Sequence, residues 1–164
     1  YTLIGISLIG LVLALVTPKI NEARDKALVE QTINSLNLVD EKVIAALQLS
    51  GNKRIVVMTI KKGDFYINAK EDKIEFVIGG LSKPYSTPGI NISIGRVIVL
   101  SEEEKKDNVV RLKIDYSELA NITYNGKEDN LKFTPASVPY AFSVESLEPV
   151  DGVQRIDFNE ISGR

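Results

Sequence analysis

Few side chains in this sequence could carry chemistry, and most of those are carboxylates. Glu102, Glu103 and Glu104 are consecutive and could in principle face a hard cation. Calcium loops, however, stagger carboxylates and carbonyls around a turn glycine, and that glycine is missing here. The segment Ser101 to Asn108 therefore reads as a solvated hairpin tip. Asp115 and Glu118 could be imagined as an acid–base pair, but the wet end of a strand accounts for both more simply. With no His and no Cys, the chain lacks the commonest general base, the commonest metal ligand and any thiolate. Its Ser and Thr hydroxyls have no His to activate them, and it has no G-x-S-x-G, P-loop or dinucleotide fingerprint. The expectation is a non-enzyme without cofactor or metal. Two triplets, Asn91-Ile92-Ser93 and Asn121-Ile122-Thr123, are glycan acceptors if the chain is exported and the Asn side chains are exposed. Tyr85 and Tyr140, in proline-bearing loops, are the aromatic candidates for outward contacts.

The elements that would hold these residues follow from the distribution of charge. Twenty basic and 22 acidic residues give a net charge of -2, which leaves no basic excess to neutralise phosphates and argues against nucleic acid as a partner. Tyr1 to Thr17 holds no charged side chain, whereas the rest mixes both signs throughout. A helix that is apolar all round must be buried in lipid or protein. At ~1.5 Å per residue such a stretch spans about 25 Å, near the lower limit for a hydrocarbon core of ~30 Å. It reads poorly as a secretory signal, having no basic n-region and no small-residue cleavage pattern before Pro18. A permanent membrane anchor fits its hydropathy. Against that, Tyr1 has neither Met nor a basic flank before it, as expected of an apolar stretch uncovered by removal of a basic leader.

The start Tyr1-Thr2-Leu3-Ile4, the apolar run behind it, Pro18 and the charged amphipathic continuation together resemble the mature N-terminus of type IV pilins and related archaeal pilins. The resemblance covers roughly the first third of the chain. It implies a prepilin peptidase that exposes an aromatic N-terminus, a precursor held in the cytoplasmic membrane, and a pilus assembly machinery. It also implies an extracellular filament, a homopolymer of this chain, in which the apolar helices pack along the axis. The assembly positions it implies are Tyr1, Leu3, Ile4, Gly5, Leu8, Ile9, Gly10, Leu11, Leu13, Leu15 and Val16. The sequence departs from the bacterial pattern at Gly5, where those members usually carry a Glu thought to pair with a neighbour's N-terminal amine. The acidic contact is therefore not carried over, and the likeness shifts toward the archaeal kind. Gly5 and Gly10 permit close backbone approach between helices, and tolerated helical glycine is the plain alternative. Pro18 removes a donor and clashes with the carbonyl four residues back, predicting a kink between Ala14 and Pro18.

Beyond Pro18 the apolar residues Ile20, Ala23, Ala27, Leu28, Ile33, Leu36, Val39, Val43, Ala46 and Leu47 recur at three- and four-residue steps, a one-faced helix. It should run to about Leu49, before the Ser50-Gly51-Asn52 stop. From Arg54 short β-branched and aromatic runs alternate with turn residues. They predict strands near 55–60, 65–69, 74–78, 90–94, 96–100, 109–116, 131–134, 141–147 and 155–159. Phe65, Tyr66, Phe76, Phe133, Phe142 and Phe158 fall on these strands and read as core.

The expected architecture is α+β. Residues 1–18 form an apolar stem, 19–50 an amphipathic helix packing on the head, and 51–164 an antiparallel β head, a sandwich or partly open barrel. The function implied is that of a filament subunit, used for surface or cell adhesion. A single-span anchored β binding domain and a minor pilin or pseudopilin of a secretion or uptake system remain alternatives.

Overall fold

The apolar and amphipathic stretches form one continuous helix, α1 (Thr2–Leu47). The computed structural model describes residues 2–104 and 107–161, and side chains from Val12 onward within α1. At ~1.5 Å per residue α1 is roughly 69 Å long, more than a head of this size can cover. Its ladder continues past Pro18, and one turn back the Thr17 hydroxyl donates to the Leu13 carbonyl at 2.7 Å. The Asn/Ser/Thr-rich stretch around Asn34 stays helical. Thr32 and Ser35 each donate to the carbonyl four residues earlier, so these hydroxyls are satisfied within the helix.

Among the described side chains of α1, those of the C-terminal half are the buried ones. Val29, Ile33, Leu36, Val39, Val43 and Ala46 form its core face, joined by Thr32 and Asp40. The expected stripe needs correcting at its N-terminal end: Ile20, Ala23 and Ala27 are exposed, and Val29, not anticipated, is the first fully buried residue. The periodicity is real, but the head does not reach that far down the helix.

The head comprises β1 (Lys53–Met58), β2 (Asp64–Asn68), β3 (Lys73–Leu81), β4 (Asn91–Ile94), β5 (Val97–Glu104), β6 (Asp107–Asp115), β7 (Asn121–Tyr124), β8 (Asn130–Phe133), β9 (Tyr140–Val150) and β10 (Val153–Glu160), with a short 3-10 turn at Ala69–Glu71. A four-stranded sheet has the order β1-β9-β10-β7, and a six-stranded sheet the order β4-β5-β6-β3-β2-β8; they do not close into a barrel. α1 packs on strands of both. Strand alternation places Val110, Leu112, Ile114 and Tyr116 inward, all fully buried, while Arg111 and Lys113 face out. The centre is aromatic: the Phe142 ring lies 5.0 Å from Phe133 and 6.1 Å from Phe65, within the range where tilted rings attract.

Four sequence expectations require correction. The head is not wholly antiparallel, because β7, an unexpected strand, pairs parallel with β10. Ser101 to Glu104 is strand rather than hairpin tip, paired with β6 through Glu104 opposite Asp107, while residues 105 and 106 lie outside the described residues. Tyr66 is only half-buried and faces out beneath the Lys132 ammonium. Tyr85 and Tyr140 pack against the core instead of reaching outward, and the Tyr140 hydroxyl donates to the Thr134 carbonyl at 2.9 Å.

Candidate assembly surface

The predicted assembly residues with described side chains lie on a bare helix. From Val12 to Asn21 every residue is exposed. Leu13, Leu15 and Val16 stand 58%, 67% and 43% open, and Val12 and Ile20, absent from the expected set, 50% and 46%. Tyr1 lies outside the described residues, as do the side chains at positions Leu3, Ile4, Gly5, Leu8, Ile9, Gly10 and Leu11. Val12, Leu13, Leu15, Val16 and Ile20 fall within an arc of roughly 160° at about 100° per residue, one broad apolar side of the exposed stem.

The head grips α1 just beyond this stem. Asp25 accepts two hydrogen bonds from Ser82, from its amide and its hydroxyl, each at 2.7 Å. Lys62 Nζ stands 3.8 Å from the same carboxylate and donates to the Gly80 carbonyl, while Lys83 pairs with Glu22 at 2.8 Å. Burial alone would push the Asp25 carboxyl up. The Ser82 hydrogen bonds and the Lys62 charge outweigh it and hold the group below its ordinary 3.8. The Ser82–Ile90 loop that makes this grip is itself tied to β5: the Ser86 amide and hydroxyl meet Ser101 Oγ at 2.9 and 2.8 Å, and the Gly89 amide donates to the Ser101 carbonyl.

A second tie joins the upper helix to the β4–β5 hairpin. Arg96 Nε lies 3.2 Å from Asp40 Oδ1, and its guanidinium sits over the Tyr116 ring, 5.7 Å from the centroid. The hairpin turn favours glycine here for its left-handed backbone angle more than for space, since the only close neighbour is the end of the Asn37 side chain. A Cβ on Gly95, whose φ is +65°, would stand 2.6 Å from Asn37 Oδ1. Burial raises the Asp40 carboxyl, against the opposing pull of Arg96 and Tyr116; burial likewise drives the Tyr116 phenol far upward. The Tyr116 hydroxyl has no aligned hydrogen-bond partner among the described residues. Neither tie was anticipated. Asp40 had a visible signal, a charge standing on the apolar stripe between Leu36 and Val43, whereas nothing in the sequence marks Asp25.

The remaining candidates each have neighbours in the fold. Asp115 accepts from the Ser117 amide and hydroxyl at 3.0 and 2.6 Å and lies 3.8 Å from Lys73. These bonds hold it below its ordinary value despite the opposing effect of burial. Glu102 receives Arg111 Nε at 2.7 Å across the strands. Among the described residues no group of three carboxylates could hold a metal ion. The two glycan triplets differ. Asn91, Ile92 and Ser93 are all exposed, whereas Asn121 is half-buried and its Thr123 is buried.

No family model, curated protein or solved structure matches this chain. Among the described residues no helix is long and apolar enough to cross a membrane. The side chains before Val12, which carry most of the apolar run, are not among them.

Proposed function

We propose that this chain is a structural subunit of an extracellular type IV pilus-like filament, of the archaeal kind, polymerising through its apolar N-terminal helix and serving surface or cell adhesion. One observation carries the reading: α1 leaves the head as a rod whose apolar side chains, Val12 to Val16 and Ile20, are exposed. Such a surface is stable only when covered, and copies of the same rod can cover one another. Packing one stem against successive neighbours is a heterologous contact that does not close, so it grows into an open fibre. With Gly5 in place of an acid, the packing is apolar throughout. Before assembly the stem rests in the cytoplasmic membrane, and a prepilin-type peptidase and an assembly machinery deliver it.

In this reading residues 1–18 build the fibre core, 19–50 join core to head, and 51–164 form the outer surface. The two sheets lying on α1 act as a partly open sandwich whose gap the helix fills, supported by the contacts of α1 with strands of both sheets. The test is electron microscopy of material sheared from cells that make the chain, with its identity checked by mass spectrometry. Filaments composed of the chain are the expected result. Recovery solely as detergent-extractable monomer would overturn the proposal in favour of a single-span anchored binding domain, and a trace presence at fibre ends would favour a minor pilin.

A further inference from the structure

The two N-x-S/T triplets look equivalent in sequence, and the fold separates them. Asn91-Ile92-Ser93 lies on β4, the edge strand of the six-stranded sheet. In an extended strand residues i and i+2 share a face, so the Asn91 amide and the Ser93 hydroxyl point the same way. Ile94, on the opposite face, packs against the core, which leaves Asn91 and Ser93 on the solvent side, both exposed. β4 is only four residues long and paired on one side, so lifting it from β5 would break few contacts. Asn121-Ile122-Thr123 is also on an edge strand, but that edge is covered. The Ile122 amide donates to Asp72 Oδ1 at 2.6 Å, Ile122 is fully buried, and the Thr123 hydroxyl donates to Asp157 Oδ1 at 2.6 Å. Asp157 also receives the Gly126 amide and the Asn159 side chain. A transferase that must engage the hydroxyl of the triplet finds Ser93 available and Thr123 already bound.

We infer that Asn91 is the N-glycan acceptor of this chain, that Asn121 is not, and that the glycan shields the free β4 edge. The inference rests on the exported, surface-filament reading, since it needs a transferase outside the cytoplasm. The reaction is a substitution at an anomeric carbon. Asn91 Nδ2 forms a bond to C1 of a sugar carried on a lipid phosphate, the bond from C1 to the phosphate oxygen breaks, and the lipid phosphate departs. The amide proton passes to a base of the transferase, and nothing is oxidised or reduced. The product has a physical use. Beside Asn91 and Ser93 lie their β5 partners Leu100 and Ile98, half-buried apolar residues on the outer face, and just before β4 Ile90 is 54% exposed. An unprotected edge next to such residues is a template for edge-to-edge pairing between heads, and a bulky hydrophilic chain on Asn91 blocks that approach.

The test is mass spectrometry of the full chain and its peptides, purified from the cells that naturally make it, as wild type and as Asn91→Gln, Ser93→Ala and Asn121→Gln. A sugar mass on the peptide containing Asn91 is expected in wild type and in Asn121→Gln, and its loss in both Asn91→Gln and Ser93→Ala. Ser93→Ala keeps the asparagine and alters only an exposed hydroxyl, so loss there is not explained by misfolding. A bare Asn91 in wild type, or a sugar mass that follows Asn121, overturns the inference. Micrographs of the same preparations keep the two proposals apart: filaments with bare Asn91 sink the glycan alone, and glycosylated chain without filaments sinks the filament alone.

Discussion

If the stem is buried between subunits, shortening Leu15 should raise the subunit concentration needed for assembly without harming the head. Leu15 is 67% exposed in the isolated chain, so covering it removes about two thirds of a leucine side chain from water. Complete burial contributes about 1.5–3 kcal/mol, which makes the share of Leu15 about 1–2 kcal/mol. Leu15→Ala forfeits most of that, roughly a 5- to 30-fold rise in the threshold concentration at each added contact. Where the competing state is lipid rather than water the loss comes from packing alone, and the lower end of the range applies. Leu15→Asp adds an unpaired carboxylate to a dry bundle, costing several kcal/mol more, and should abolish filaments. The assay is the yield of sheared filament by microscopy and immunoblot across Leu15→Met, Leu15→Ala and Leu15→Asp. A thermal melt of the detergent-solubilised subunit serves as control and should move by less than about 2–3 °C, since Leu15 is not part of the core. Equal filament yield across the three variants would refute burial of the stem.

The core and the ties between helix and head make further expectations. Phe142→Ala removes a 2% exposed ring from between Phe65 and Phe133; a loss of about 3–5 kcal/mol should lower the melting midpoint by roughly 6–20 °C by circular dichroism. Gly95→Ala meets both a left-handed φ and Asn37 Oδ1; about 1–2 kcal/mol should be lost to the backbone alone, and adding Asn37→Ala in a double-mutant cycle should return only the portion due to the clash. Acidification should act in opposite directions at the two helix carboxylates. Asp25 is held below 3.8 when folded, so its stabilisation is present above the unfolded value and is lost as pH falls through the folded one. Asp40 is raised, so its ionisation opposes folding, and lowering pH from neutral through its folded value relieves that cost. Asp25→Asn should remove the first trend from a denaturant-versus-pH series and Asp40→Asn the second; unchanged slopes in both would defeat the assignment.

How far the sequence could be read depended on the range over which each signal acts. The change from helical to strand periodicity near Arg54 is local and strong, and the α+β order and most strands were legible from it. β7 was not, because Asn121 to Tyr124 is a four-residue run between turn-like segments and is held by a parallel partner some thirty residues later. No local pattern announces such a pairing. Glu102 to Glu104 reads as loop because three acids in a row resemble solvated chain, yet the facing strand supplies Arg111 to Glu102 and turns the run into a strand end. Ile20, Ala23 and Ala27 continue the stripe without being buried, because periodicity records which side of a helix is apolar and not how far a neighbour extends along it. The stem was legible as an apolar segment. Which of its residues stay uncovered once the head folds was not.

That last distinction bears on function. In a chain whose helix is clamped at Glu22 and Asp25 by Lys83 and Ser82 and again at Asp40 by Arg96, the head fixes the direction in which the bare stem leaves it. A stem joined by a loose linker would sample many directions and pay an entropic cost each time a subunit docked. In the proposed filament that cost would be met largely during folding, and each added subunit would bring its head to the surface in one orientation. The two ties are built differently. The lower one is a half-exposed set of polar contacts next to Pro18, where an N–H of the helix ladder is missing, while the upper one sets a buried Asp40 beside buried Tyr116 and against an exposed Arg96. Adjustment between stem and head is therefore cheapest at the lower tie. A helical fibre of the proposed kind would accommodate unequal neighbours there on bending, with the Asp40–Arg96 contact beside Tyr116 keeping the rest of α1 seated in the head.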